Sequence, residues 1–147
     1  PWNHLPQDGV DQEFELVAQG SASALVAVDN NLAVGLAIFY APESPPESLP
    51  EQYRQYSHSE STLYIAEVVV HRNYAGRGIG NQLLTKIIGC APALGASMLL
   101  IDRHEENLAS AGMMRKAGFT ELMTFSDPQR RDYGSRKTTV LRFDLAG

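Results

Sequence analysis

"VVVHRNYAGRGIGNQLL", Val68 to Leu84, joins two kinds of periodicity. Three valines read as the end of a buried strand. From Ile79 the apolar residues fall at Ile79, Leu83, Leu84, Ile87 and Ile88, the stripe of a helix. Between strand and helix stand Gly76, Gly78 and Gly80. A glycine inside a helix costs about 1 kcal/mol relative to alanine, so three of them at one junction imply a gain from missing side chains. One such gain is anion binding: backbone N–H groups point into a common concavity, and the helix N-terminus adds its positive end. Arg77, between two of the glycines, brings a charge-assisted contact to a diphosphate within reach. A plain strand-to-helix turn is the competing reading. Two familiar phosphate loops do not fit: Gly-x-x-x-x-Gly-Lys-Ser/Thr is absent, and Leu83 stands where the dinucleotide fingerprint needs its third glycine.

Working outward, "TLYIAEVVV" (62–70) is β-rich and largely apolar, as a central strand covered on both faces should be. "ALVAVDNNLAVGLAIFYAP" predicts a hairpin, with strands at 24–28 and 32–40 about a turn at Asp29-Asn30-Asn31. "DGVDQEFELVAQG" carries Val10, Phe14 and Val17 at helical spacing before Gly20. The proline-rich segment 42–61 is a long connection, either a functional lid or a disordered insert. Downstream, "SMLLI" predicts a buried strand, and "NLASAGMMRKAGF" a helix closed by Lys116 and Gly118. Strands follow near 119–125 and 138–145, joined by "SDPQRRDYGSRK". The order helix–β–β–loop–β–α–β–α–β–β mixes hairpins with strand–helix–strand units. It predicts one α/β domain of the α+β type over 1–147, with a mixed, mostly antiparallel sheet flanked by helices.

The 147 residues are 44% hydrophobic and carry 12 basic against 17 acidic side chains, a net charge of −5. Such a balance argues against general nucleic-acid binding, which needs clustered Lys and Arg. A single cysteine, Cys90, excludes an internal disulfide and, among apolar neighbours, reads as a buried inert thiol in a reducing compartment. No apolar run reaches the roughly 18 residues of a membrane span, and a cytoplasmic location is the expectation. His58, His71 and His104 are scattered and read as surface residues; no pair has metal-ligand spacing, so no metal is expected.

Together, "YAGRGIGNQLL" and "NLASAGMMRKAGF" resemble the GNAT superfamily of acyl-CoA-dependent N-acyltransferases. Gly78 and Gly80 match its Gln/Arg-x-x-Gly-x-Gly/Ala motif; Asn107, Lys116, Gly118 and Phe119 match a second motif at unchanged spacing. The resemblance runs from about Leu32 to Leu145, with a short N-terminal region. It implies acetyl-CoA as acyl donor and direct transfer to a primary amine in a ternary complex. The donor would be bound by Val68, Val69 and Val70 of the strand, by the loop Ala75, Gly76, Arg77, Gly78, Ile79 and Gly80, and by Asn107. Two positions depart from the pattern: Ala75 replaces the usual Gln/Arg, and Met114 replaces a tyrosine that in many relatives protonates the departing thiolate.

Acyl transfer to an amine needs a held thioester, a deprotonated amine and a stabilised oxyanion. The resemblance implies that the Val68 N–H faces that oxyanion. Glu67, a carboxylate inside an apolar strand, is either the base or half of a structural ion pair. Asp102, closing "SMLLID", is a second candidate base or a turn-capping residue; Tyr64 is a substitute acid or a half-buried aromatic. Tyr53, Tyr56, His58, Glu47, Glu51 and Glu60 of the long loop are expected around the acceptor, and the acids there favour a small cationic amine. A CoA-binding sensor without chemistry, favoured by Ala75 and Met114, and a protein or peptide N-acetyltransferase are the alternatives. The resemblance also admits a homodimer. Met113 and Met114 read as core or pocket wall.

Overall fold

Asn30 and Asn31 both take positive φ, 49° and 66°, so the chain reverses in a two-residue turn whose twist matches the strands on either side. Those strands are β1 (Ser23–Asp29) and β2 (Leu32–Tyr40). The structure, a computed structural model, describes residues 20, 22–46, 49–53, 56 and 61–145. The helix expected around Val10, Phe14 and Val17 lies outside the described residues. So do Glu47, His58 and Glu60 of the long loop.

After a short 3-10 turn at Glu51–Tyr53 come β3 (Thr62–Val70), α1 (Ile79–Cys90), β4 (Met98–His104), α2 (Leu108–Ala117), β5 (Thr120–Ser126) and β6 (Lys137–Asp144). The six strands form one sheet in the order β1-β2-β3-β4-β6-β5. Only β3 and β4, joined through α1, run parallel; every other neighbouring pair is antiparallel. The mixed, mostly antiparallel sheet expected from the order of elements is the one observed.

Cross-strand partners share a face, and the register therefore sorts β3. Phe39↔Ile65 and Ala37↔Val68 look toward the helices; Tyr40↔Tyr64 and Ile38↔Glu67 look the other way. A slip between Ile38 and Phe39 leaves Ala66 as an extra residue in β3, a bulge that bends the strand. The helix face is aliphatic: Leu83, Leu84 and Ile87 of α1 and Met114 of α2 close over Leu63, Ile65 and Leu99. On the opposite face Ile38, Met98, Leu100 and Val140 pack with Tyr40, Tyr53 and Tyr64. Full burial of each such side chain contributes about 1.5–3 kcal/mol.

The register also explains why a site opens in the middle of the sheet. β3 and β4 share four rungs, from Thr62↔Met98 to Ile65↔Ile101, and then part. Beyond that point β3 continues along β2 to Gly35↔Val70, and β4 continues along β6 to His104↔Thr138. A wedge is left between two strands that each keep an outer partner.

Candidate active site

The three glycines answer two different demands. Gly76 and Gly78 have φ of 79° and 78°, and a β-carbon on either would meet nothing within 4 Å. They are glycine for the backbone turn that delivers the chain from β3 to α1. Gly80 is buried in the first turn of α1, where a β-carbon would collide with Met113 Sδ of α2. It is glycine so that the two helices can approach.

Gly78 is also the N-cap of α1; it offers no side-chain cap, and the first turn holds no acidic residue. The first N–H groups of a helix have no partner within it, so this end offers donors and positive potential beside Val70 at the end of β3. The chemistry fits a diphosphate. Arg77 is exposed beside it, its guanidinium carbon 4.6 Å from the centre of the Tyr74 ring. A groove of about 660 Å³ follows α1 from Asn81 past Thr85 and Lys86 to Cys90, and the buried Asn81 Nδ2 on α1 has no partner among the described residues. Cys90 itself is half-buried rather than fully so, its thiol donating to the Ile87 carbonyl at 3.4 Å.

Asn107 caps α2, its Oδ1 accepting from the Ser110 N–H at 3.1 Å. His104 sets up that cap and is 3% exposed, not the surface residue expected. Its Nδ1 accepts from the Glu106 N–H at 3.0 Å, and its Nε2 lies 2.6 Å from the Tyr133 carbonyl. Together they define the neutral tautomer with hydrogen on Nε2. The alternation of β4 hid this: His104 follows Asp102 on the face away from the helices and turns inward against the β5–β6 connection. His71, by contrast, is exposed and accepts from the Asn73 N–H.

One residue past the last β3–β4 rung lies Asp102, with a side chain 7% exposed. Oδ2 accepts from Tyr53 Oη at 2.5 Å, Tyr64 Oη at 2.8 Å and Arg130 Nη1 at 3.3 Å. Oδ1 accepts from Arg131 Nη2 at 3.1 Å. The network extends outward: Arg130 Nε donates to Asp127 Oδ2 at 2.8 Å, and Arg131 Nε to Thr138 Oγ1 at 2.9 Å. Thr138 Oγ1 in turn donates to Asp127 Oδ2 at 2.6 Å. Burial alone would push the Asp102 carboxyl up; the Arg130 and Arg131 charges, with both tyrosine hydroxyls, outweigh it and hold it below the usual carboxylate range. Burial first, and then the Asp102 charge, push the Tyr53 and Tyr64 phenols up.

The expected site residues thus fall in two groups. Tyr64 and Asp102 are in direct contact, and Tyr64 is 8% exposed, buried rather than half-buried. Glu67 is half-buried on the same face as Tyr64, opposite Ile38, just past the bulge. Val68 and Val70 turn to the helix face and Val69 away, while the loop Ala75–Gly80 and Asn107 gather at the N-termini of α1 and α2. Of the loop residues expected around the acceptor, Tyr53 is fully buried, Tyr56 is half-buried and Glu51 is exposed. Arg130, Arg131 and Asp127 were not foreseen. Their only trace in sequence is the pair of arginines in "SDPQRRDYGSRK", which carries no spacing relation to Asp102. Among the described residues no group of three or more His, Cys, Asp or Glu is placed to hold a metal ion, and no helix is long and apolar enough to cross a membrane.

A glycine turn at the N-terminus of α1 and a second helix capped by Asn107 and closed at Gly118 stand where the two sequence motifs put them. The model of the acetyltransferase (GNAT) family matches residues 1–119, and the chain belongs to that family. Solved structures share the fold. Ribosomal-protein-alanine N-acetyltransferase from Brucella melitensis is 23% identical with a TM-score of 0.71, over 96% of this chain and 80% of that one. A putative acetyltransferase from Salmonella typhimurium, solved with its cofactor acetyl-CoA, is 21% identical with a TM-score of 0.71, over 100% of this chain and 79% of that one. A GNAT family acetyltransferase from Elizabethkingia anophelis with acetyl-CoA bound is 18% identical with a TM-score of 0.70, over 95% and 84%. A search of the curated proteins by sequence finds no match.

Proposed function

We propose that the chain acts as one N-acetyltransferase unit that takes an acetyl group from acetyl-CoA and passes it directly to a primary amine in a ternary complex. One observation carries this reading: β3 and β4 separate beyond Ile65↔Ile101, and α1 begins beside Val70, at the end of the freed β3, with no side-chain cap. The wedge suits an extended arm and the helix end suits the diphosphate beside it. The glycine turn Ala75–Gly80 and Arg77 hold the diphosphate, the β3 backbone at Val68–Val70 holds the arm as an added strand, and Asn107 borders the same end. Bound acetyl-CoA supplies an activated thioester. Because the thiol it releases is acidic for a leaving group, with aliphatic thiols near pKa 8.5, Met114 in the usual tyrosine position is tolerable. Met114 is 3% exposed and belongs to the aliphatic core.

Glu67 is the residue assigned to take the ammonium proton, directly or through water. It sits beside the bulge at the wedge, and its face is the one away from the α1 and α2 packing. The acceptor enters from that face and is a small amine; a peptide N-terminus is the second reading, favoured by the likeness to the Brucella melitensis enzyme.

Calorimetric titration with acetyl-CoA tests the proposal, with free CoA and the Gly78→Asp variant as controls. Aspartate tolerates the left-handed turn better than most residues and places a negative charge where the diphosphate is held. Binding by the parent chain that falls at least about tenfold in the variant is the expected result. A folded parent chain that binds neither acetyl-CoA nor CoA overturns the reading.

A further inference from the structure

We propose that Asp102 is a positioning residue, the buried tether that fastens the segment bearing Tyr53 and the β5–β6 connection bearing Arg130 and Arg131 beside the acceptor side of the wedge. The inference rests on the acetyltransferase reading for what the tether serves, and on geometry alone for the tether itself.

The argument begins with capacity. A carboxylate offers about four acceptor sites. Asp102 receives four donors: three on Oδ2, from Tyr53, Tyr64 and Arg130, and one on Oδ1, from Arg131. A carboxylate so occupied has little left with which to accept a proton from an ammonium, and its two arginines favour the ionised form. The donors come from three separate parts of the chain. Tyr64 is on β3, Tyr53 ends the 3-10 turn at Glu51–Tyr53, and the arginines lie between β5 and β6.

Among the described residues, neither peripheral segment reaches the site by strand pairing. The β5–β6 connection holds itself together through the Asp127 N–H on the Arg136 carbonyl at 2.8 Å and through Arg130 and Thr138 on Asp127. It is pinned to the end of β4 by His104 at the Tyr133 carbonyl and by Glu106 at the Ser135 N–H. Asp102 adds the link that reaches across to the other segment: Arg130 Nη2 donates to Tyr53 Oη at 3.2 Å while its Nη1 donates to Asp102. Tyr53 also meets the Phe125 ring edge-on, centroids 5.9 Å apart, and the Tyr64 ring at 5.7 Å. One carboxylate at the mouth of the wedge thereby sets the positions of two loops. Arg130, Arg131 and Asp127 all fall beyond residue 119, where the match to the family model ends, so the tether is built in part from residues outside that match.

Hydrogen exchange read by mass spectrometry, on the full chain, tests the tether without any acceptor. Asp102→Asn should speed exchange in 49–53 and 127–136 by about tenfold or more beyond any change in 79–90, where only the loss of global stability is felt. Tyr53→Phe should do the same for 49–53 alone, and Arg131→Gln for 127–136 alone. The two milder variants decide the matter if Asp102→Asn does not fold. Adding Tyr53→Phe to Asp102→Asn should speed 49–53 by less than Tyr53→Phe does in the parent chain, since the Tyr53–Asp102 link is already gone and only the Arg130 contact to the hydroxyl remains to be lost. Unchanged exchange in both segments in every folded variant overturns the proposal.

Titration of the same samples with acetyl-CoA should return affinities within about twofold of the parent chain. A parent chain that does not bind acetyl-CoA defeats the acetyltransferase reading and leaves the exchange result standing. Spermidine and an alanine-initiated hexapeptide serve as acceptor probes. With whichever is turned over, Asp102→Asn should raise KM about tenfold or more and leave the pH profile of kcat in place. A fall in kcat of about 10²–10⁴ with loss of the acid limb is the signature of a general base, and would return Asp102 to that role. The exchange result decides alone if neither probe is turned over.

Discussion

Leu84 and Tyr53 are both fully buried, on opposite faces of the same sheet, and different forces hold them. Leu84 is one of a set of aliphatic side chains whose spacing along α1 already points them to one side. Its stability is area removed from water, indifferent to pH and to which apolar neighbour it meets. Tyr53 reaches the sheet from a connection between strands, and its hydroxyl lies against a carboxylate that two arginines neutralise. Its stability depends on every donor and acceptor being in place, since a buried polar network left half-satisfied costs more than none. The helix face can drift by a methyl group and remain a core. The other face loses a charge balance if one partner goes.

The contrast is sharpest at Asp102. Asp102→Asn should destabilise the fold by about 3–5 kcal/mol near neutral pH, because two arginines are left facing a neutral amide. The folded carboxyl titrates below its unfolded value. Its contribution is therefore fully present above about pH 4, the unfolded carboxylate value, and disappears as the pH falls through the folded value beneath it. Urea titrations of the parent chain and the variant should diverge most near neutrality and converge as the solution is acidified. A gap that stays constant down to pH 2 would mean that the carboxylate charge is not what matters.

Leu84→Ala comes next, at about 2–5 kcal/mol, and the loss should be the same at pH 5 and pH 8. A pH-dependent loss there would break the distinction between the faces. Smaller again is Gly80→Ala, at about 1–3 kcal/mol from forced contact with Met113. Because the neighbour is the sulfur of a flexible side chain, Met113→Ala added to it should recover part of the loss in the same thermal unfolding measurement. No recovery would show that α1 needs the glycine for its backbone after all.

How legible each part was follows from the range of the forces involved. The hairpin at Asn30–Asn31, the β3 strand and the helices at 79–90 and 108–117 were readable within two residues of their observed ends, while β4 runs to His104, three residues past "SMLLI". Each is specified by periodicity or turn chemistry within a dozen neighbours. The glycine turn was legible as a strand-to-helix junction but not in its parts, since the sequence does not distinguish a glycine needed for φ from one needed for a neighbouring helix. His104 was misread because an inward turn at a strand end depends on what later packs there. Asp102 and Tyr64 stood out as candidates, yet nothing in their spacing announced that they touch.

The sequence by itself determined the order of elements, the two apolar faces, the anion-suited turn at Gly76–Gly80 and membership of the family through motifs that are local in the chain. Only the tertiary structure decided where β3 and β4 part, which strand register puts Glu67 beside Tyr64, and that Arg130 and Arg131 come back 28 and 29 residues later to meet Asp102. The physical reason is that propensity and periodicity act over a few residues, whereas a buried carboxylate takes its donors from wherever the fold brings them.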